Sequence, residues 1–387
     1  MRKLEFSGQN QCQLLHNGEE YFPQLIKAID DAQVEIFLET YIFAHDVSAQ
    51  AVQEALGRAA ERGVQVQVII DWIGCGEQSC NRLQTQLSES GVACRVFNPW
   101  FKRGWARTHR KLVVIDEKIG FVGGINIVDD YHAENDAMLK MSNPRWDFAV
   151  QVQGPLIAQM HAEVQAQWQR LGHLKLLSRL LLTRRLRQSA VASKHETGLA
   201  AFVVRDNFRN RSTIQQAYLK ALGSAKTLAY FANPYFAPGR KLRLALISAA
   251  RRGVDVRLLL GVGDFHLQDA VAQTYYPNLL ANGIKIYEYR KSKLHAKVAV
   301  IDDDWATVGS SNFDGLSLFV NQEANIVIKD EHFAAHLKTL LQQGIEEAEA
   351  VEGNALQHQN FVRKIINRVA HWIYRLILHV ASGGQYH

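Results

Sequence analysis

The sequence predicts an α/β fold built twice, as two similar α/β sandwich domains related by a pseudo-twofold, with basic amphipathic helices added. Three observations carry that reading. The stretch Ala59-Ala60-Glu61-Arg62-Gly63-Val64-Gln65-Val66 returns as Ala249-Ala250-Arg251-Arg252-Gly253-Val254-Asp255-Val256, and self-similarity of this kind marks a structural unit used more than once. Each copy has the same grammar: an apolar helical face, a glycine that stops it, and a β-branched strand. A His-x-Lys-x-x-x-x-Asp pattern then stands at a corresponding place in each copy.

The chain has 387 residues, 47% hydrophobic and 21% charged, enough to bury the cores of two domains. The pattern divides it into a first domain over residues 1–170, a connector over 171–199, a second domain over 200–350 and a C-terminal basic amphipathic helix over 351–387. Met1, Arg2 and Lys3 lead straight into polar sequence, so neither a secretory signal nor a membrane anchor is expected here. No stretch has the uncharged apolar length of a bilayer span. Cys12, Cys75, Cys80 and Cys94 lack the close spacing of a zinc site and read as small reduced hydrophobes, which suits a cytoplasmic setting.

Along the first copy, Lys27-Ala28 opens a helix end that leads into an apolar strand finishing at Tyr41 and Phe43. Val52, Ala55, Leu56 and Ala59 form the next helix face, Gly63 ends it, Val64 to Ile70 is a buried strand, and Gly91 precedes another. The second copy answers with Lys220-Ala221, Tyr235 and Phe236, and Gly283. Between the copies, leucines interleave with Lys175, Arg179, Arg184, Arg185 and Arg187 over residues 171–187. A basic amphipathic helix there serves equally as an interface connector or a membrane-surface contact. Residues 361–380 place Val362, Ile365, Ile366, Val369, Ile373, Leu376, Ile377 and Val380 on one face, with Lys364, Arg368, His371, Arg375 and His379 opposite. That pattern, with Trp372, favours an interfacial helix over one docked on the protein core.

The chemistry-bearing residues fall into two sets. His109, Lys111 and Asp116 match His295, Lys297 and Asp302. A histidine and a lysine two apart project to one side of an extended chain, so each set joins an imidazole to an ammonium. Glycine- and serine-rich turns follow, ending in Asn126 and Asn312 at the same separation from their histidines; such turns admit an anion and the amides donate to phosphate oxygens. Phosphodiester exchange needs a nucleophile, a proton donor for the leaving alkoxide, and fixed positive charge on the non-bridging oxygens. The two sets supply all three without a metal or another cofactor. Asp147, placed with the first set, and Glu323, placed with the second, are read as the carboxylates that orient the histidines. Asp116 and Asp302, grouped with the catalytic residues by the motif, sit at strand ends where a loop or interface role fits better.

At these residues the chain resembles the phospholipase D superfamily over nearly its whole length. The run from Trp305 to Leu318, the Glu39-Thr40-Tyr41 triplet and the Asn10 to Glu19 stretch resemble its bacterial cardiolipin synthase B subgroup most. Leu316 stands where other members of the family usually carry an arginine, which removes one headgroup contact from the carry-over. The resemblance implies that a phosphatidyl group passes from phosphatidylglycerol to a hydroxyl of another lipid through a phosphohistidine, with glycerol released and cardiolipin formed. It implies His109 as nucleophile and a peripheral position on the cytoplasmic face of the membrane. Lys and Arg total 44 against 38 Asp and Glu, a formal charge of +6, which suits anionic phospholipid and nucleic acid alike. The amphipathic segments, together with Trp100, Phe101, Lys102, Arg103 and Trp105 in the loop over residues 98–107, favour lipid, so no nucleic acid partner is expected. A plain lipid hydrolase and a nuclease remain the alternatives that the same histidines permit.

Overall fold

The computed structural model describes residues 4–133, 136–172, 197–207, 210–263, 265–353 and 361–381. Its framework is two mixed sheets of matching topology. In the first, strands Gln11–His16, Phe148–Gln153, Ile119–Gly123, Leu112–Ile115, Glu35–Thr40, Gln65–Asp71 and Ala93–Phe97 lie side by side in that order. In the second the order is Leu199–Arg205, Glu323–Lys329, Trp305–Gly309, Val298–Ile301, Leu228–Asn233, Asp255–Gly261 and Lys285–Tyr289, with a short edge strand, Glu349–Ala350. Position for position the strand order is the same, as the sequence repeat predicted.

Local chemistry explains the repeated stretch. The helix Val47–Glu61 starts where the Asp46 carboxylate accepts the Ala49 N–H at 2.9 Å, which satisfies a donor with no helical partner. It ends at Gly63, whose φ of +88° only glycine adopts freely; Gly253 repeats this at +93°. The following strands alternate at first and are buried on both faces in their second halves, where Val68-Ile69-Ile70 and Leu258-Leu259-Leu260 read as apolar runs, the signature of parallel pairing.

Three buried clusters hold the molecule together. One lies beneath the outer helices of the first half, around Leu25, Val52, Leu56 and Val68. Another occupies the same place in the second half, around Leu222, Leu242, Leu246 and Leu258. The third is shared: Val114 and Val150 of the first sheet meet Val300 and Ile326 of the second, with Met160 and Leu337 from the helices Ile157–Leu171 and Glu331–Glu346. The halves therefore face each other across a common core, each filled side chain contributing about 1.5–3 kcal/mol.

Leu171, read as the first residue of the connector, ends the helix Ile157–Leu171 instead; most of the basic segment over 171–187 lies outside the described residues. The four cysteines are unpaired by disulfides, with Cys80 fully buried. Phe361–Ala381 is helical, and no helix among the described residues is long and apolar enough to cross a membrane.

Candidate active site

Sheet topology brings the two motifs to one edge. Strand Leu112–Ile115 runs antiparallel to Glu35–Thr40, with Leu112 opposite Glu39. His109 and Lys111, just before it, thus stand where the parallel strands of the first sheet end. Val298–Ile301 has the same relation to Leu228–Asn233, which sets His295 and Lys297 at the equivalent edge of the second sheet.

Two short bridges then stitch the edges together. Thr108 pairs with Gln322, and Trp146 with Leu294. The His109 N–H donates to the Gln322 carbonyl at 2.9 Å, and the His295 N–H to the Trp146 carbonyl at 2.9 Å. Gln322 precedes Glu323 and Trp146 precedes Asp147, so each histidine is laid beside the acid of the opposite half. His109 Nδ1 lies 3.1 Å from Glu323 Oε2 and 3.0 Å from the Ser310 carbonyl. His295 Nδ1 lies 2.6 Å from Asp147 Oδ2. This corrects the sequence grouping, which placed Asp147 with His109 and Glu323 with His295. The pairs are crossed because the backbone bridges are crossed.

The hydrogen-bond network assigns the tautomer. A carboxylate and a backbone carbonyl at His109 Nδ1 are both acceptors, so that nitrogen carries its hydrogen and leaves Nε2 with the reactive lone pair. Lys111 Nζ donates to the His109 carbonyl at 2.8 Å and stands 5.1 Å from the Tyr41 ring centre. Lys297 Nζ donates to the His295 carbonyl and lies 2.9 Å from His295 Nδ1. His109, Lys111, His295 and Lys297 are all at least nine-tenths buried, so their fields act in a poorly screened setting. Burial pulls the His109 imidazole below its ordinary value; Glu323 pushes it back up and Lys111 adds to the fall. Burial raises the Glu323 carboxyl, but His109, Lys111 and the Ser310 hydroxyl outweigh it, and the net direction is down.

The asparagines are buried beside these groups. Asn126 Oδ1 accepts the Ile42 N–H at 3.2 Å, whereas Asn312 Oδ1 has no hydrogen-bond partner in the structure. The turns differ at two places, Gly124 against Ser310 and Ile125 against Ser311. Ser310 bonds Glu323, but a side chain at the matching Gly124 would put Cβ 2.2 Å from Asp147 Oδ1.

Asp116 and Asp302 do not join the site. The Asp116 carboxylate accepts the N–H groups of Gln33, Val34 and Glu35 at 2.8–2.9 Å. Asp302 does the same for Lys226, Thr227 and Leu228. Each lies at the far end of its strand from the histidine and closes the turn into the neighbouring antiparallel strand. Their grouping with the catalytic residues is corrected to a fold-holding role.

Several residues under the site escaped the sequence reading. Arg110, between His109 and Lys111, points the other way along the chain and is fully buried, 3.2 Å from Glu163 and 3.9 Å from Glu39. The Thr108 hydroxyl donates to Glu39. Asp71 accepts the Thr108 N–H at 2.7 Å and those of Ile73 and Gly74, and burial raises its carboxyl to about 7. The signal available was Arg110 itself, a charge in a motif position whose side chain must face the core. Among the described residues one trio has metal-ligand character, Glu35, Glu117 and His161. His161 lies 2.8 Å from Glu35 and 3.3 Å from Glu117, and the trio sits at the opposite end of the Glu35–Thr40 strand from the histidines.

Two α/β halves of one topology, closing a pair of buried His-Lys sets across their shared edge, define a protein of the phospholipase D class. The family model described as cardiolipin synthase, PLD-like domain, matches residues 25–168 and 218–344. Cardiolipin synthase B of Salmonella typhi is 39% identical over 342 residues, 86% of this chain and 80% of that protein. Cardiolipin synthase B of Escherichia coli is 38% identical over 336 residues, 85% and 79% of the two chains. Among solved structures, phosphatidylserine synthase of Haemophilus influenzae shares the fold at a TM-score of 0.72 and 14% identity, over 98% of this chain and 97% of that one. The chain belongs to the cardiolipin synthase family of phospholipase D-like enzymes.

Proposed function

We propose that the chain is a cardiolipin synthase-type phosphatidyltransferase that moves a phosphatidyl group from phosphatidylglycerol to the hydroxyl of a second lipid. His109 Nε2 attacks phosphorus, the phosphorus–oxygen bond to glycerol breaks, and His295 gives the departing alkoxide its proton. The product of this half-reaction is a phosphohistidine plus free glycerol. His295 then takes the proton of the incoming lipid hydroxyl, whose oxygen attacks phosphorus and releases His109. Lys111, Lys297, Asn126 and Asn312 hold the non-bridging oxygens, and Glu323 and Asp147 orient the imidazoles. When phosphatidylglycerol is the acceptor, the product is cardiolipin. The enzyme works as a peripheral protein on the cytoplasmic face of a phospholipid membrane.

The observation that carries this reading is the pair of buried histidines, each bonded through Nδ1 to a carboxylate of the other half. Burial also keeps water scarce at the phosphoenzyme, which favours an alcohol as acceptor. Incubation of the pure protein with labelled phosphatidylglycerol vesicles and a chelator tests it: cardiolipin and glycerol are expected, and phosphatidic acid alone overturns transfer in favour of hydrolysis. A labelled phosphoenzyme is expected in His295→Ala and not in His109→Ala; the reverse result exchanges the two roles.

A further inference from the structure

Exposed apolar side chains gather on the edge of the molecule that carries the histidines. The strands Glu35–Thr40, Gln65–Asp71 and Ala93–Phe97 are parallel and end there, as do their three counterparts in the second sheet. From the segment after Ala93–Phe97 project Trp100, Phe101 and Trp105, all exposed, with Trp72 against the first two at 5.5 and 5.2 Å. From the segment after Asp255–Gly261 project Phe265 and Leu267, also exposed.

The helix Phe361–Ala381 is anchored at the same edge. Asn367 reaches Gln273 at 3.4 Å and His371 reaches Thr274 at 3.3 Å. The Tyr374 hydroxyl accepts the N–H of Gly315, three residues past Asn312, at 2.8 Å. Among its described side chains, the stripe of Asn367, Ala370 and Leu378 is buried. The apolar face predicted from the sequence is turned outward: Ile366, Val369, Trp372, Leu376 and Val380 are each at least half exposed. Arg368 and Arg375 are exposed beside it, and the helix contains no aspartate or glutamate.

So large a bare apolar face demands a cover. A second copy would set these cations against their own duplicates and block the edge through which substrate reaches the histidines. An anionic bilayer surface meets both demands, taking the apolar face at the acyl boundary, the cations at the headgroups, and the tryptophans between. We propose that Phe361–Ala381 lies flat in the surface of an anionic bilayer and, with the aromatic loop around Trp100 and Trp105, turns the histidine edge toward the lipid. The orientation rests on the lipid-substrate reading; adsorption to the bilayer does not, and is measured without turnover.

The test is co-flotation of the full chain with vesicles of phosphatidylcholine alone or mixed with phosphatidylglycerol. Flotation is expected with the mixed vesicles, weakening as salt rises. The double variant Trp372→Ser, Leu376→Ser removes apolar contact, and Arg368→Glu, Arg375→Glu reverses charge without touching that face. Each is expected to lose at least about tenfold in binding while keeping its circular dichroism and its transfer activity on detergent-dispersed phosphatidylglycerol. Binding at the wild-type level by both variants overturns the proposal. So does a wild-type dimer that the first variant converts to monomer without any vesicle binding, since a second copy then covers the face. Absence of transfer in every form, with flotation as expected, refutes the lipid-transfer reading and leaves the adsorption intact.

Discussion

His109 sits between two influences of opposite sign. Burial and Lys111 hold its imidazole below the ordinary value of about 6.5, and Glu323 raises it. The neutral form therefore persists to lower pH than in a free histidine, and under the proposed mechanism the acid limb of phosphoenzyme formation belongs below about 6.5. Glu323→Gln removes the raising partner, so the limb moves further down. Lys111→Met removes a lowering one, so it moves up. Single-turnover trapping of the phosphoenzyme across pH separates the two, and displacement of both limbs in one direction would contradict the assigned neighbours. Glu323→Gln also loosens the ring, at a cost of roughly 10²–10⁴ in rate. A histidine with a depressed folded value contributes stability that is present above about 6.5 and lost as pH falls through the folded value. At this scale the sequence displayed the histidines, lysines, asparagines and acids, because the motif and its duplicate show residue types directly. It did not display which acid meets which histidine, because that depends on two backbone bridges between segments far apart in the chain.

Among the elements, the motif aspartates are the clearest case of a residue conserved in pattern across the two halves but working on structure. Asp116 and Asp302 each collect several backbone N–H groups from the turn entering the neighbouring antiparallel strand. Burial raises both carboxyls and is the largest single influence, but the backbone donors together outweigh it, and each ends below the ordinary range. Their contribution is thus present above about 3.9 and lost only as pH falls through the lower folded values, so neutral pH leaves it untouched. Asp116→Ala and Asp302→Ala are each expected to cost about 1–3 kcal/mol in denaturant unfolding with little change in kcat; a loss of kcat at unchanged stability would return them to the catalytic set. Helices and strands were legible where periodicity and glycine stops mark them, as at Gly63 and Gly253. The outward aspect of the C-terminal helix was legible only in part: its apolar face is plain in the sequence, but the narrow stripe through Ala370 and Leu378 that docks it depends on the surface it meets.

For the whole molecule, the duplication announced two alike halves, and the twin sheets bear it out. Beside the seam lies a buried charge cluster that no repeat could announce, since the residue matching Arg110 in the second motif is Ala296. Arg110 is fully buried, with Glu39 on the strand Glu35–Thr40 and Glu163 on the helix Ile157–Leu171. Burial opposes its charge, while Glu163, Glu39 and, from the second half, Asp206 stabilise it. Glu39 in turn receives the Thr108 hydroxyl, one residue from His109, so the cluster lies beside the Thr108–Gln322 bridge and the position of His109. Arg110→Met takes the buried cation from between two core carboxylates and is expected to cost about 3–5 kcal/mol. Neutralising them as well, with Glu39→Gln and Glu163→Gln, is expected to recover much of that loss. The deficit should also depend on pH. Burial already raises the Glu39 carboxyl and Arg110 opposes the rise, so without Arg110 the folded protein holds its proton to higher pH than the unfolded chain does. Stability then falls as pH climbs from the ordinary carboxyl value toward the raised one. Unfolding of Arg110→Met should therefore be closer to wild type near pH 5 than near pH 8, and a deficit that stays constant across that interval would show that Arg110 acts there by packing rather than by charge.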